Sequence, residues 1–211
     1  MATAGFKNVF IAMAIGLLMV SCDDKDEDKK QNIESSEQVV LEKSGINGDE
    51  ELFGNDDLGN KQNPLYGKIY MKKNDILELE HWEDFGGGVI EAGKYENGNY
   101  RFGIGHFEDE NGNRICIFDE FSKQWFENGR VKYKILDTIN VGKLNDNEGL
   151  AYQGCLQDAI MDSEIIAIVI YEDKEFHDKI IKAWRANTKT GRFEPIKNVT
   201  GITCINEGYG V

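Results

Sequence analysis

Proline is nearly missing from this chain of 211 residues, with only Pro64 and Pro195 present. That scarcity excludes a collagen-like repeat. Long apolar runs are missing too: Val9–Val20, free of charged or polar side chains, spans 12 residues, against about 20 for a helix that crosses a bilayer. A multi-span membrane protein is therefore excluded. Basic residues are scarce, 24 Lys+Arg against 38 Asp+Glu for a formal net charge of −14, and no local basic stripe offsets that balance. A surface of this sign repels phosphate backbones, so no nucleic-acid partner is expected. The three histidines, His81, His106 and His177, and the four cysteines are scattered. No His lies at ligand spacing from a Cys, no Gly-x-Ser-x-Gly elbow is present, and neither a metal nor another cofactor is expected.

What is present begins with an address. Lys7 precedes the apolar run, and Ser21 and Cys22 follow it, which is the layout of a secretory signal. The order Leu18-Met19-Val20-Ser21-Cys22 resembles the bacterial lipobox, although Met19 stands where Leu is usual. The resemblance implies that residues 1–21 are a signal peptide and that Cys22 carries the lipid that anchors the chain to a membrane. Asp23, Asp24, Asp26, Glu27 and Asp28 lie directly behind it. This acidic run looks like the export signal of Bacteroidetes lipoproteins bound for the outer face of the outer membrane, and so implies display at the cell surface. The plainer reading is a solvated spacer on a periplasm-facing anchor.

Residues 23–63 contain 13 Asp+Glu and 5 Lys, and their apolar residues follow neither a helical nor a strand period. The segment 22–63 reads as a lipidated Cys followed by a disordered tether with a reach of about 35 Å. From Pro64 the texture changes to short runs rich in Ile, Val, Tyr, Phe and Trp, broken by Gly, Asn and Asp. This is strand-and-turn punctuation. Residues 64–211 are expected to form one all-β domain with minor helix, an antiparallel sandwich or a barrel-like meander. Three Glu-Asn-Gly turns, at 96–98, 110–112 and 127–129, fit type I′ hairpins, in which both central residues take positive φ. They divide strands expected at Val89–Tyr95, Asn99–Phe107, Arg114–Phe121 and Arg130–Ile139. Another hairpin is expected from Ile180–Ala186 to Arg192–Ile196. Ile165–Tyr171, nearly all apolar, reads as a central strand covered on both sides. Gly149–Asp162 reads as a short helix or an irregular excursion.

Within Asn99–Phe107 the alternation places Tyr100, Phe102, Ile104 and His106 on one face and Arg101, Gly103, Gly105 and Phe107 on the other, a bulky face backed by a nearly bare one. Of the cysteines behind Cys22, Cys116 falls inside a strand. Cys155 and Cys204 are therefore the candidate disulfide of an exported chain.

Acidic pairs raise the chemistry of glycoside cleavage, which uses two carboxylates at fixed separation. Adjacent strand residues such as Asp119 and Glu120, or Glu83 and Asp84, point to opposite faces, so neither pair straddles one bond and no catalytic residue is assigned. Asp109-Glu110-Asn111-Gly112-Asn113 lacks the closing Glu of an EF-hand and reads as a hairpin turn. Aromatics are the better lead: Trp82, Trp125 and Phe126 are the candidate binding surface for a protein or glycan partner. Asp137-Thr138-Ile139 resembles the three-residue O-glycosylation motif of exported Bacteroidetes proteins, which implies a glycan on Thr138. The stretch from Lys182 to Val211 is similar to the C-termini of small flavobacterial proteins, a resemblance that implies lineage and brings no activity with it. The functional expectation is a lipid-anchored envelope lipoprotein that binds without catalysing. The alternative is a periplasm-facing immunity or lysozyme-inhibitor-like protein, since an acidic inhibitor suits a basic hydrolase.

Overall fold

The computed structural model describes residues 52–54, 56–124 and 130–210. The signal segment, Cys22, the acidic run behind it, Trp125, Phe126 and the turn at 127–129 lie outside the described residues.

The described chain is built of strands, with helix confined to the single 3-10 turns Lys73–Asp75 and Leu77–Leu79. A first antiparallel sheet contains β1 (Ile69–Tyr70), β2 (Trp82–Ile90), β3 (Phe102–Asp109), β4 (Asn113–Phe121) and β5 (Tyr133–Lys143), in the order β1-β5-β4-β3-β2. Four of these strands follow one another as a meander. A second sheet holds β6 (Glu148–Tyr152), β9 (Ile165–Ile170), β11 (Ile180–Asn187) and β12 (Arg192–Ile196), in the order β12-β11-β9-β6. A small third sheet holds β7 (Cys155–Gln157), β8 (Ile160–Met161), β10 (Phe176–His177) and β13 (Ile202–Ile205), in the order β10-β13-β7-β8.

The layers follow from which side chains alternate inward. Ile90, Phe102, Ile104, Phe118 and Leu136 of the first sheet meet Ile166, Ala186 and Phe193 of the second. On its other face the second sheet packs Ile165, Ala167, Val169 and Ala183 against Cys155, Ile202 and Cys204 of the third. The first sheet is also covered twice, because Phe107, Ile115, Ile117 and Ile135 lie beneath Leu65, Tyr70, Ile76 and Leu79 of the segment that leads into β2. A strand covered on both sides has no polar face to present, and this explains the unbroken apolar runs Ile115–Phe118 in β4 and Ile165–Val169 in β9. Each large apolar side chain so buried contributes about 1.5–3 kcal/mol before entropy is counted.

Several expectations need correction. The meander strands are displaced from the expected bounds, and β2 begins at Trp82 rather than Val89. Neither described Glu-Asn-Gly turn, at 96–98 or at 110–112, is type I′. Glu110 and Asn111 have no positive φ, only Gly112 does at +81°, and its N–H closes the turn on the Asp109 carbonyl at 2.9 Å. That is the pattern of an ordinary turn ended by a left-handed glycine. The Asp109 carboxylate accepts from the N–H groups of Asn111 and Asn113 and from the Asn113 amide, so its oxygens are spent on the turn. Residues 149–162 form strands rather than a helix, and His177 is a buried strand residue.

The domain also begins before Pro64. Phe53 is only 2% exposed, and Leu58 packs on the main core. Gly59 N–H donates to the Thr190 carbonyl at 2.9 Å and Asn60 N–H to the Leu136 carbonyl at 2.8 Å. The stretch has no strand or helix of its own beyond one residue of 3-10 character at Leu52. It is held by hydrogen bonds to the sheets, which leave no periodic pattern in its sequence. Phe53→Ala is expected to lower the unfolding free energy by about 3 kcal/mol, read as an earlier urea midpoint. A chain beginning at Pro64 should be destabilised by at least as much.

Candidate functional site

The nearly bare face of β3 forms the floor of a cavity of about 790 Å³ between the first sheet and the segment that covers it. Gly103 and Gly105 supply the bareness. A Cβ on Gly103 would lie 2.3 Å from the Phe121 ring, and one on Gly105 would lie 2.9 Å from the Phe107 ring. Those rings, with Tyr70, Tyr133, Val89 and Val131, make the walls, and Lys72 and Lys73 stand on the lining contributed by the covering segment. Lys73 is tied down by a bond from its ammonium to the Trp82 carbonyl.

Among the polar side chains of the lining, which include Lys72, Lys73, Asn74 and Asp84, Asp119 is the buried one. Asp119 is 2% exposed and lines the cavity. Its Oδ2 accepts a hydrogen bond from the Tyr70 hydroxyl at 2.7 Å, while Oδ1 is buried with no partner. Burial, only partly opposed by the Tyr70 bond, pushes the carboxyl up to about 8, because a low-dielectric site disfavours the charged form. Tyr70 is held well above its ordinary range by its own burial and by Asp119 beside it. At neutral pH Asp119 is thus a carboxylic acid. Since Tyr70 donates to Oδ2, the acid proton belongs on Oδ1, the atom without a partner. The cavity offers aromatic and aliphatic walls with the Asp119 acid among them and Lys72, Asn74 and Asp84 also on its lining, an arrangement suited to a ligand that brings an acceptor oxygen or nitrogen.

The neighbouring carboxylate has the opposite surroundings. Glu120 is fully buried on the other face of β4, paired with Arg101 and Lys134 at 2.8 Å each, and it accepts from Gly54 N–H at 2.9 Å. Adjacent strand residues do diverge as alternation requires. Glu83 and Asp84 are both exposed on the edge strand β2. Asp84 lines the cavity, where its Oδ1 accepts from Gly86 N–H at 2.8 Å.

Of the other residues singled out by sequence, Trp82 is half-buried against the Leu65–Tyr70 cluster and so serves packing. Thr138 is half-buried, and its hydroxyl accepts from the Asn63 amide at 2.6 Å. Cys155 and Cys204 pair across β7 and β13 and are joined by a disulfide with S–S 2.09 Å. Cys116 is a free, buried thiol pushed up to about 12 by burial, which suppresses the reactive thiolate. His81 is exposed, whereas His106 is buried between Phe85 and Tyr152. Sequence reasoning placed neither Asp119 nor Tyr70 in a site. The available signal was the pair Gly103 and Gly105, which marked where the Phe121 and Phe107 rings lie close on the strand; Gly105 is the one that lines the cavity.

Comparison with known protein families, with curated proteins and with solved structures finds no match to this chain.

The buried acid has a measurable consequence. The folded chain keeps a proton on Asp119 that the unfolded chain releases above about pH 4, so the contribution of Asp119 to stability falls as pH rises from about 4 to about 8 and levels off beyond. His106, held low by burial, works in the opposite sense below about pH 6.5, but it is common to both proteins in a comparison. The stability of Asp119→Asn relative to the native protein should therefore rise across the window up to about pH 8 and then stay constant. Thermal melts at half-unit pH steps would show it; a flat difference would mean that Asp119 is ionised in the fold.

Proposed function

We propose that this protein is a lipid-anchored lipoprotein of the cell envelope, held through Cys22 and an acidic linker, whose β domain binds a ligand without transforming it. The observation that carries the binding role is that Asp119, whose Oδ1 is buried without a partner, lines a cavity of about 790 Å³. A buried polar atom without a partner costs about 1–3 kcal/mol, and a bound ligand that supplies the acceptor removes that cost. Support for the anchor is the lipobox-like order ending at Cys22, and support for surface display is the run Asp23, Asp24, Asp26, Glu27 and Asp28. The partners on this reading are the membrane, through the lipid, and a molecule of the cell surface.

Two measurements test the two halves. Radiolabelled palmitate should be incorporated by the native chain and lost in Cys22→Ala, and protease added to intact cells should digest the domain. Protection until the cells are permeabilised would shift the reading to a periplasm-facing inhibitor or immunity protein. For binding, the purified protein is incubated with a small-molecule extract of the envelope and the retained compounds are identified by mass spectrometry. The native chain should retain a compound that Asp119→Leu, which replaces the anchor by an apolar group, retains at least tenfold less. Equal retention by both would remove the cavity from the account.

A further inference from the structure

On the other side of the Gly86-Gly87 stretch of β2 lies a second cavity, of about 560 Å³, bordered by Phe85, the bend Tyr152-Gln153-Gly154, Tyr171, His177 and the turn at Glu207. Its character differs from that of the Asp119 cavity. Aromatic side chains stand open at its border, for Tyr171 is 58% and Phe85 53% exposed. Phe85 lies against His106 with ring centroids 5.6 Å apart, and Tyr171 meets His177 edge-on at 5.5 Å. Both rings are therefore braced from behind.

The polar side of the cavity is incomplete. His177 is 3% exposed, and its Nδ1 is buried without a partner. The bend that forms one wall is held in an unusual shape, since Gln153 adopts φ +65° and its amide donates to the Val89 carbonyl at 3.3 Å. Gly88 makes that crossing feasible, because a Cβ there would lie 1.6 Å from the Gln153 side chain. A strained non-glycine residue whose side chain locks two sheets at a cavity wall is a recurring sign of a functional site.

The chemistry of the lining narrows the ligand. No lysine or arginine lines this cavity and Glu207 is its charged side chain, so a phosphate or carboxylate ligand finds no counter-charge. The wall mixes rings with hydrogen-bonding groups, which disfavours a purely apolar chain. A pyranose ring matches both features, because its C–H face packs on an aromatic ring while its hydroxyls donate and accept at the edge. We propose that the cavity between Phe85, Tyr171 and His177 is a binding site for a neutral saccharide, which stacks on Tyr171 and places a hydroxyl against His177 Nδ1. This site is separate from the Asp119 cavity, and either assignment can fail alone.

The test uses the full chain, with maltotetraose, cellotetraose, chitotetraose, mannotetraose and a β-1,4-galactotetraose as probes. Titrations are followed by calorimetry and by the side-chain nitrogen resonances of His177. At least one probe should bind saturably and shift the His177 resonance. Tyr171→Ala, at an exposed position, should weaken that probe at least tenfold, and Asp119→Asn should leave it unchanged. His177→Ala is compared only after its melting curve shows a folded protein, and it should also lose binding. Silence from all five probes would overturn the proposal, as would binding that survives Tyr171→Ala. Displacement of the His177 resonance by tetramethylammonium or inorganic phosphate alone would overturn it in favour of an ion site.

Discussion

The fold is drawn together at one buried carboxylate, Asp137, where three parts of the chain meet. Its Oδ1 accepts from the Asn60 and Asn63 amides at 3.0 and 3.2 Å and from the Thr138 N–H at 2.9 Å. Its Oδ2 accepts from the Phe193 N–H at 2.9 Å. The segment before β1, the middle of β5 and the start of β12 are thereby fixed to a single side chain that is itself buried. A carboxylate can be buried at tolerable cost only when such donors surround it. The same bonds position the chain that crosses to cover the first sheet, and that cover forms one side of the cavity above β3.

Against that background the contrast between Asp119 and Glu120 is informative. They are consecutive residues on one strand, and both are removed from water. Glu120 meets two cations and a backbone donor. Asp119 meets one hydroxyl and otherwise apolar walls, and it keeps its proton instead. Protein interiors pair or hydrogen-bond buried polar groups almost without exception, so an atom left over beside a cavity is where a ligand has chemical work to do. The His177 Nδ1 is a second such atom, beside a second cavity with a different lining.

Much of the architecture was legible in the sequence because it depends on local patterns. The apolar run at Ile165–Val169 identified a central strand, the Asn187–Gly191 turn identified the β11–β12 hairpin, and the placement of Cys116 in a strand left Cys155 and Cys204 to each other. Features that depend on distant partners were not legible. Nothing in the acidic chain before Pro64 indicates that Phe53 is buried or that Gly54 reaches Glu120, 66 residues away. Tyr70 and Asp119 are 49 residues apart and meet only because β1 adds to the far edge of the meander. Gly149–Asp162 was misread because its strands are as short as two or three residues and pair with β13 and β9, which come later in the chain. The aromatic lead pointed to exposed rings; Trp82 is half-buried, and the exposed rings among the described residues include Phe85, Tyr171 and Tyr209.

The central claim is that Asp119 is held as a neutral acid on the lining of the cavity above β3. The most direct measurement is a carbon-13 NMR titration of the Asp119 side-chain carboxyl, assigned by its loss in Asp119→Asn. A midpoint near pH 8 is the predicted result. A midpoint near 4, the ordinary aspartate range, would mean a solvated carboxylate, and the cavity would lose the donor on which its proposed binding role depends.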